Sequence, residues 1–151
     1  MASFDWLVAP LVCPVCGAVS AADSSTNMQT YIQDQPSMTE IGVGDLVDLP
    51  RDDVADRGFI EVQRPGAGEA IHLLTTWECP TCGSPYLWAE VIVEHSRIVD
   101  IRAVSLDRER LERANYISPD CDSTVSELTG LDVSDLIGKD MIALLRQHLR
   151  N

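Results

Sequence analysis

The first fifty residues contain no lysine and no arginine. They carry six acidic residues, and the whole 151-residue chain has a formal net charge of −13. Phosphate backbones and anionic lipid surfaces require cationic counter-charge, so this balance argues against direct binding to nucleic acid or to a membrane surface. A basic protein is the macromolecular partner that such a charge distribution attracts.

The chain also lacks a long hydrophobic run. No apolar stretch reaches the roughly 18 residues expected of a transmembrane helix. The apolar segment at 6–19 has no basic lead and continues into a cysteine pair, so we predict no secretory signal. Five cysteines, four of them in two Cys-x-x-Cys pairs, are typical of metal ligands in a reducing compartment rather than extracellular disulfides. We therefore expect a cytoplasmic protein.

Recognisable catalytic motifs are missing as well. His72, His95 and His148 show no His-Glu-x-x-His or comparable spacing, and we interpret them as surface or core residues. Cys121 stands between two aspartates, whose negative charge opposes formation of a nucleophilic thiolate. No nucleophile–base pair is evident in the sequence, and we predict that the protein is not an enzyme.

What the chain does contain is one short motif twice, CPVCG at 13–17 and CPTCG at 79–83. Two residues between thiolates let both sulfurs of one tight turn reach a single ion. Proline fixes the chain inside the turn, and the glycine permits a positive φ that turns backbone amides toward sulfur. Tetrahedral four-thiolate coordination is what structural zinc prefers, so we predict one structural Zn²⁺. The predicted ligands are Cys13, Cys16, Cys79 and Cys82.

The doubled knuckle resembles the zinc-ribbon and rubredoxin-like class of metal sites. Here 62 residues separate Cys16 from Cys79, against about 15–20 in the simple pattern. We interpret the intervening stretch as an insertion that enlarges the sheet. Iron in a rubredoxin-like role would use the same ligands, so the sequence leaves zinc against iron open. A redox Cys-x-x-Cys is disfavoured, because neither pair opens a helix next to a βαβ unit.

Periodicity predicts a β-rich domain followed by helices. Period-two alternation over 86–94 and 98–106 predicts a hairpin with its turn near 95–97. Helical spacing of apolar residues begins at 132 and continues to the C-terminus, with Gly138 as a point where the helix can break. Shorter strands are predicted within 4–12, 27–33, 46–49, 59–63 and 70–77, a helix over 107–114 and a break over 116–123.

From these elements we predict an α+β fold, mostly β, with a zinc-ribbon-like antiparallel sheet and a short C-terminal helical segment. The predicted division is a zinc-binding β-rich domain at 1–115 and a helical appendage at 116–151 packed on it. The final helix has an apolar stripe that docks either on this domain or on another chain. Trp77, Tyr86 and Trp88 bracket the second knuckle and either pack in the core or form an exposed patch.

Two functions are compatible with these features. The first is a non-catalytic, zinc-stabilised protein-interaction module whose acidic surface binds a basic partner, for example as an immunity-type neutraliser. The alternative is a zinc-ribbon protein of transcription or RNA machinery, which would have to contact nucleic acid through a patch of arginines. The candidates for that patch are Arg97, Arg102, Arg108, Arg110 and Arg113.

Overall fold

The computed structural model describes residues 4–49, 54–136 and 139–149. Its strands and helices confirm the predicted α+β class, with helices at the C-terminal end. The strands are β1 Asp5–Leu7, β2 Gln29–Thr30, β3 Glu40–Ile41, β4 Ile60–Glu61, β5 Ile71–Trp77, β6 Leu87–Glu94, β7 Arg97–Val104 and β8 Tyr116–Ile117. The α-helices are α1 Arg108–Arg113, α2 Asp122–Thr129, α3 Val133–Leu136 and α4 Met141–His148.

The main sheet has five strands in the order β4-β8-β5-β6-β7. The predicted hairpin is its β6–β7 pair, and the two-residue turn at His95 and Ser96 has φ values of 51° and 62°. Positive φ at both positions matches the right-handed twist of the flanking strands, which is why this turn closes the hairpin tightly. The long strand β6 pairs antiparallel with both β5 and β7, whereas β8 runs parallel to β5.

A second, smaller sheet is formed by the N-terminal part of the chain in the order β2-β1-β3. β1 pairs antiparallel with β2 and parallel with β3. Both sheets are therefore mixed rather than wholly antiparallel as predicted, because alternation along a strand carries no information about the direction of its partner. The predicted strands at 4–12 and 27–33 shrink to three and two residues.

Both faces of the main sheet contribute to a hydrophobic core. One face contributes Leu73 and Val91 to a core that also contains Leu7 and Met28 of the N-terminal part. The opposite face contributes Leu74 and Trp88 to a second core that the helices complete. Because successive residues of a strand point to opposite faces, neighbouring leucines of β5 serve different cores.

Residues 116–123, predicted as a break, contain strand β8 and the beginning of α2. Tyr116 and Ile117 are fully buried, yet two residues are too few to show any periodicity. β8 lies in the main sheet next to β5. The predicted division of the chain into a β-rich domain at 1–115 and a helical appendage at 116–151 stays a prediction.

The last helix packs on the sheet of its own chain. Ile142, Leu145 and Leu149 are buried in the same core as Leu74 and Trp88. Asp140 caps this helix by accepting a hydrogen bond from the Ala143 amide at 3.1 Å, whereas Gly138 lies outside the described residues. Among the helices in the described part of the chain, none is long and apolar enough to cross a membrane.

Replacing Leu145 with alanine should lower the free energy of unfolding by about 2–5 kcal/mol, because the side chain is fully buried and leaves a cavity. The matched control is Leu128→Ala on α2, where the leucine is partly exposed and the expected loss is under about 1 kcal/mol. Urea unfolding followed by tryptophan fluorescence measures both. Equal losses would contradict the packing of α4 on the sheet.

Candidate metal centre

Two turns bring the two copies of the cysteine motif to one place in the fold. The first turn lies between Val12 and Val19, which pair with each other in an isolated antiparallel bridge. The second lies in the loop that joins β5 to β6. The amide of Glu78, the first residue of that loop, donates a hydrogen bond to the Thr26 carbonyl at 3.0 Å and ties the second turn to the N-terminal part.

The two turns have the same backbone geometry. The amides of Gly17 and Gly83 donate hydrogen bonds to the carbonyls of Cys13 and Cys79 at 2.9 and 2.8 Å. Both glycines have positive φ, +77° and +76°, with open space around the missing Cβ. Glycine is therefore required here for its conformation and not for lack of room, as the sequence predicts.

The four cysteine sulfurs form one cluster, with every pair within 4.8 Å. The Sγ atoms of Cys13 and Cys82 are 3.8 Å apart, and those of Cys16 and Cys79 are 3.7 Å apart. A tetrahedron with metal–sulfur bonds of about 2.3 Å places its ligand atoms about 3.8 Å apart. The spacing fits one tetrahedral four-thiolate ion, and none of the four cysteines is joined in a disulfide.

The first cysteine of each turn is buried and the second is exposed. Cys13 and Cys79 belong to the core between the two sheets, while Cys16 and Cys82 face solvent. The cluster thus lies at the rim of the core. An ion held there would join the N-terminal sheet to the β5–β6 hairpin.

Neighbouring groups give the thiols different pKa values. The hydroxyl and backbone amide of Ser84 lower the pKa of Cys82 to about 6, and Cys82 Sγ lies 3.1 Å from Ser84 Oγ. A hydrogen bond from the Ala18 backbone lowers the pKa of Cys16, but desolvation and the three other thiols outweigh it and raise that pKa to about 11. The backbone amides of Cys82 and Thr81 lower the pKa of Cys79.

This donor set suits a structural ion better than a catalytic one. Four protein thiolates fill a tetrahedral coordination sphere and leave no position for water or substrate. Backbone amides aimed at sulfur supply the outer hydrogen bonds that charged thiolates need. The cluster can therefore fix the chain around a metal ion, and its geometry alone does not separate zinc from iron.

The remaining titratable residues singled out from the sequence lie elsewhere. Cys121 is buried in the helical core with its Sγ 4.0 Å from the Leu74 carbonyl. His95 occupies the β6–β7 turn and His148 the last turn of α4. His72 also lies away from the metal centre, and its Nδ1 is 3.7 Å from the buried carboxylate of Glu90.

The aromatic residues around the second turn divide between core and surface. Trp77 and Trp88 are buried, and the Trp77 indole nitrogen donates a hydrogen bond to the Trp88 carbonyl at 3.1 Å. Tyr86 is exposed and has a positive φ of 62°. The two tryptophans follow the core-packing interpretation, and only the tyrosine is available at the surface.

Exposed valines on the first turn escaped the sequence analysis. Val12, Val15 and Val19 have relative exposures of 56%, 67% and 63%. Their exposure could have been predicted from the sequence, because apolar residues inside and next to a tight metal-binding turn have few buried positions available to them. We call these three residues the valine patch.

No protein-family model matches the sequence, and no curated protein and no solved structure matches it significantly.

In the folded metal-free protein, Cys82 should react with iodoacetamide at pH 7 much faster than Cys16, the other exposed cysteine of the cluster. The thiolate is the nucleophile, and at pH 7 a thiol with a pKa of about 6 is mostly ionised whereas one of about 11 is not. Timed alkylation with peptide mass spectrometry measures both rates. The Cys82 rate should fall as the pH drops below 6, because its thiolate is then protonated, and equal rates for Cys82 and Cys16 at pH 7 would refute the assignment.

Proposed function

We propose that the protein is a non-catalytic module whose fold is organised by one structural Zn²⁺ and which acts by binding a basic protein. The proposal of a bound metal ion rests on the cluster of four sulfurs at tetrahedral spacing on two equivalent turns. A closed thiolate sphere favours a structural role over Lewis-acid catalysis. We place this activity in the cytoplasm, where thiolates stay reduced.

The valine patch supports protein binding at the first turn. An apolar group of side chains at the surface is a common feature of contact sites, because its burial removes apolar area from water. Residues 1–50, which hold this patch, have six acidic residues and no lysine or arginine. A partner with an apolar contact surrounded by basic residues would complement both properties.

The nucleic-acid alternative receives less support. Of the five arginines that would form the patch, four are paired with carboxylates of the chain itself. Arg102 and Arg110 contact Glu90, Arg108 contacts Glu112, and Arg113 contacts Glu109. These pairs leave no extended surface of unpaired arginines of the kind that contacts along a phosphate backbone require.

The metal centre is tested by Cys79→Ser with Cys121→Ala as the matched control. Cys79→Ser should lose the bound ion and unfold at a markedly lower temperature, because binding free energies of structural zinc reach roughly 10–16 kcal/mol. Cys121→Ala removes a buried thiol outside the cluster and should keep one ion per chain. Metal analysis of both purified proteins and thermal unfolding are the measurements. Full metal content in Cys79→Ser would refute the assignment, and iron in the wild type would replace zinc.

The partner is tested by affinity purification from native cells. We expect one basic protein at a stoichiometric ratio, with binding that weakens as salt rises because charges are screened. Val15→Ser should weaken that binding at least about tenfold if the patch supplies a central contact. Val133→Ser, on α3 and also exposed, is the control and should have no effect. Equal binding by both variants would exclude the valine patch as the contact.

A further inference from the structure

A group of charged side chains on the main sheet plays no part in the metal centre. The carboxylate of Glu90 lies at the centre of this group, and the Glu90 side chain is only 5% exposed. Arg102 donates to one carboxylate oxygen at 2.9 Å, and Arg110 donates to the other at 3.3 Å. His72 Nδ1 lies 3.7 Å from that second oxygen. Three cationic or potentially cationic groups therefore surround one carboxylate.

Strand register explains the convergence. Glu90 pairs with Leu74 on one side and with Arg102 on the other, and such partners share a face of the sheet. Leu74 on this face is buried beneath the helices, whereas the Arg102 side chain is half exposed. The charged group thus marks the place where the helical layer ends and the sheet face opens to solvent.

The fold itself does not require a charge at this position. Burial raises the pKa of Glu90, but the Arg102 hydrogen bond and the charges of Arg110 and His72 outweigh it and hold the pKa below its ordinary value. Burying an ion pair costs desolvation energy that the pair recovers only in part, and apolar side chains at such positions are often as stable. A buried charge cluster next to an opening is for this reason a candidate recognition site.

The cluster borders a cleft of about 470 Å³. That volume lies in the range of small-molecule sites, roughly 300–1,000 Å³. The chain as a whole has 24 acidic and 11 basic residues, whereas three arginines face two glutamates here. The cleft therefore reverses the charge balance of the protein. Its ionisable lining residues are Arg64, Glu69, His72, Glu90, Arg102 and Arg113.

Donors remain for a ligand after the internal contacts are made. A guanidinium carries five N–H donors, more than its ion pairs here employ. Arg64 and Arg113 contact Glu61 and Glu109 at 3.8 and 3.1 Å on the surface, where ion pairs contribute little free energy and an incoming anion can replace the glutamate. Glu69, the second lining carboxylate, accepts a hydrogen bond from the Gly66 amide.

We propose that this cleft binds a small organic oxyanion, a carboxylate or a phosphate, through Arg102 and Arg113 with Arg64 as a third donor. The planar fork of each guanidinium matches two oxygens of either group. Glu90 holds the Arg102 guanidinium in position and does not contact the ligand. The site is independent of the metal centre and of the proposed protein partner.

The proposal is tested by titrating ¹⁵N-labelled protein with inorganic phosphate, citrate and chloride at equal ionic strength. The side-chain Nε–Hε signals of Arg102 and Arg113 should shift and saturate with phosphate, citrate or both, and not with chloride. Saturation with phosphate alone identifies a phosphate ligand, and saturation with citrate alone identifies a carboxylate ligand. Absence of saturable shifts with both anions overturns the proposal.

Two single substitutions give the matched comparison. Arg113→Gln should weaken the binding of the anion that gives saturable shifts about tenfold, which is the effect of losing one charged hydrogen-bonding group. The variant should keep the wild-type amide spectrum, because Arg113 is 66% exposed and is not a partner of Glu90. Arg97→Gln removes an exposed arginine at the opposite end of β7 and should leave affinity unchanged. Equal weakening by both variants would indicate general charge screening and overturn the site.

Discussion

The pairing of β5 with β6 is the constraint on which the rest of the structure depends. Seven register pairs, from Ile71–Val93 to Trp77–Leu87, fix which side chains face each core. A slip of one residue would exchange the two faces, moving Leu74 out of the helical core and Leu73 out of the other. The same slip would displace the loop that carries the second cysteine turn. Both cores and the sulfur cluster therefore rest on one antiparallel pair.

The metal centre and the acidic surface are linked physically as well as by position. Four thiolates around one divalent ion carry a net charge of about −2, which adds to the negative field of the N-terminal half. Amides within the two turns and the Ser84 hydroxyl stabilise that charge locally. In the proposed interaction, a cationic partner would meet the valine patch on a turn whose own ligands are anionic. The apolar contact and the electrostatic attraction would then act at one place.

The sequence predicted those parts of the structure that local chemistry determines. The cysteine turns, the positive φ of Gly17 and Gly83, and the β6–β7 hairpin all follow from short-range rules. β8 was missed because two residues show no period and its partner β5 lies more than forty positions earlier. α2 was missed because serine and threonine occupy much of it and have modest helix propensity. The group around Glu90 joins residues from three strands and a helix, which only the register brings together.

The distance along the chain between the two cysteine turns has a consequence for biosynthesis. Cys79 follows Cys16 by 63 positions, so at about 5–20 residues per second the first turn is made roughly 3–13 s before its counterpart. During that interval the nascent chain offers only half of a coordination sphere, and two thiolates hold a metal ion far more weakly than four. Correct loading therefore depends on the metal supply after residue 82 has been added. If the proposed ion is zinc, a cell short of zinc would accumulate chains whose N-terminal sheet is not yet tied to the hairpin.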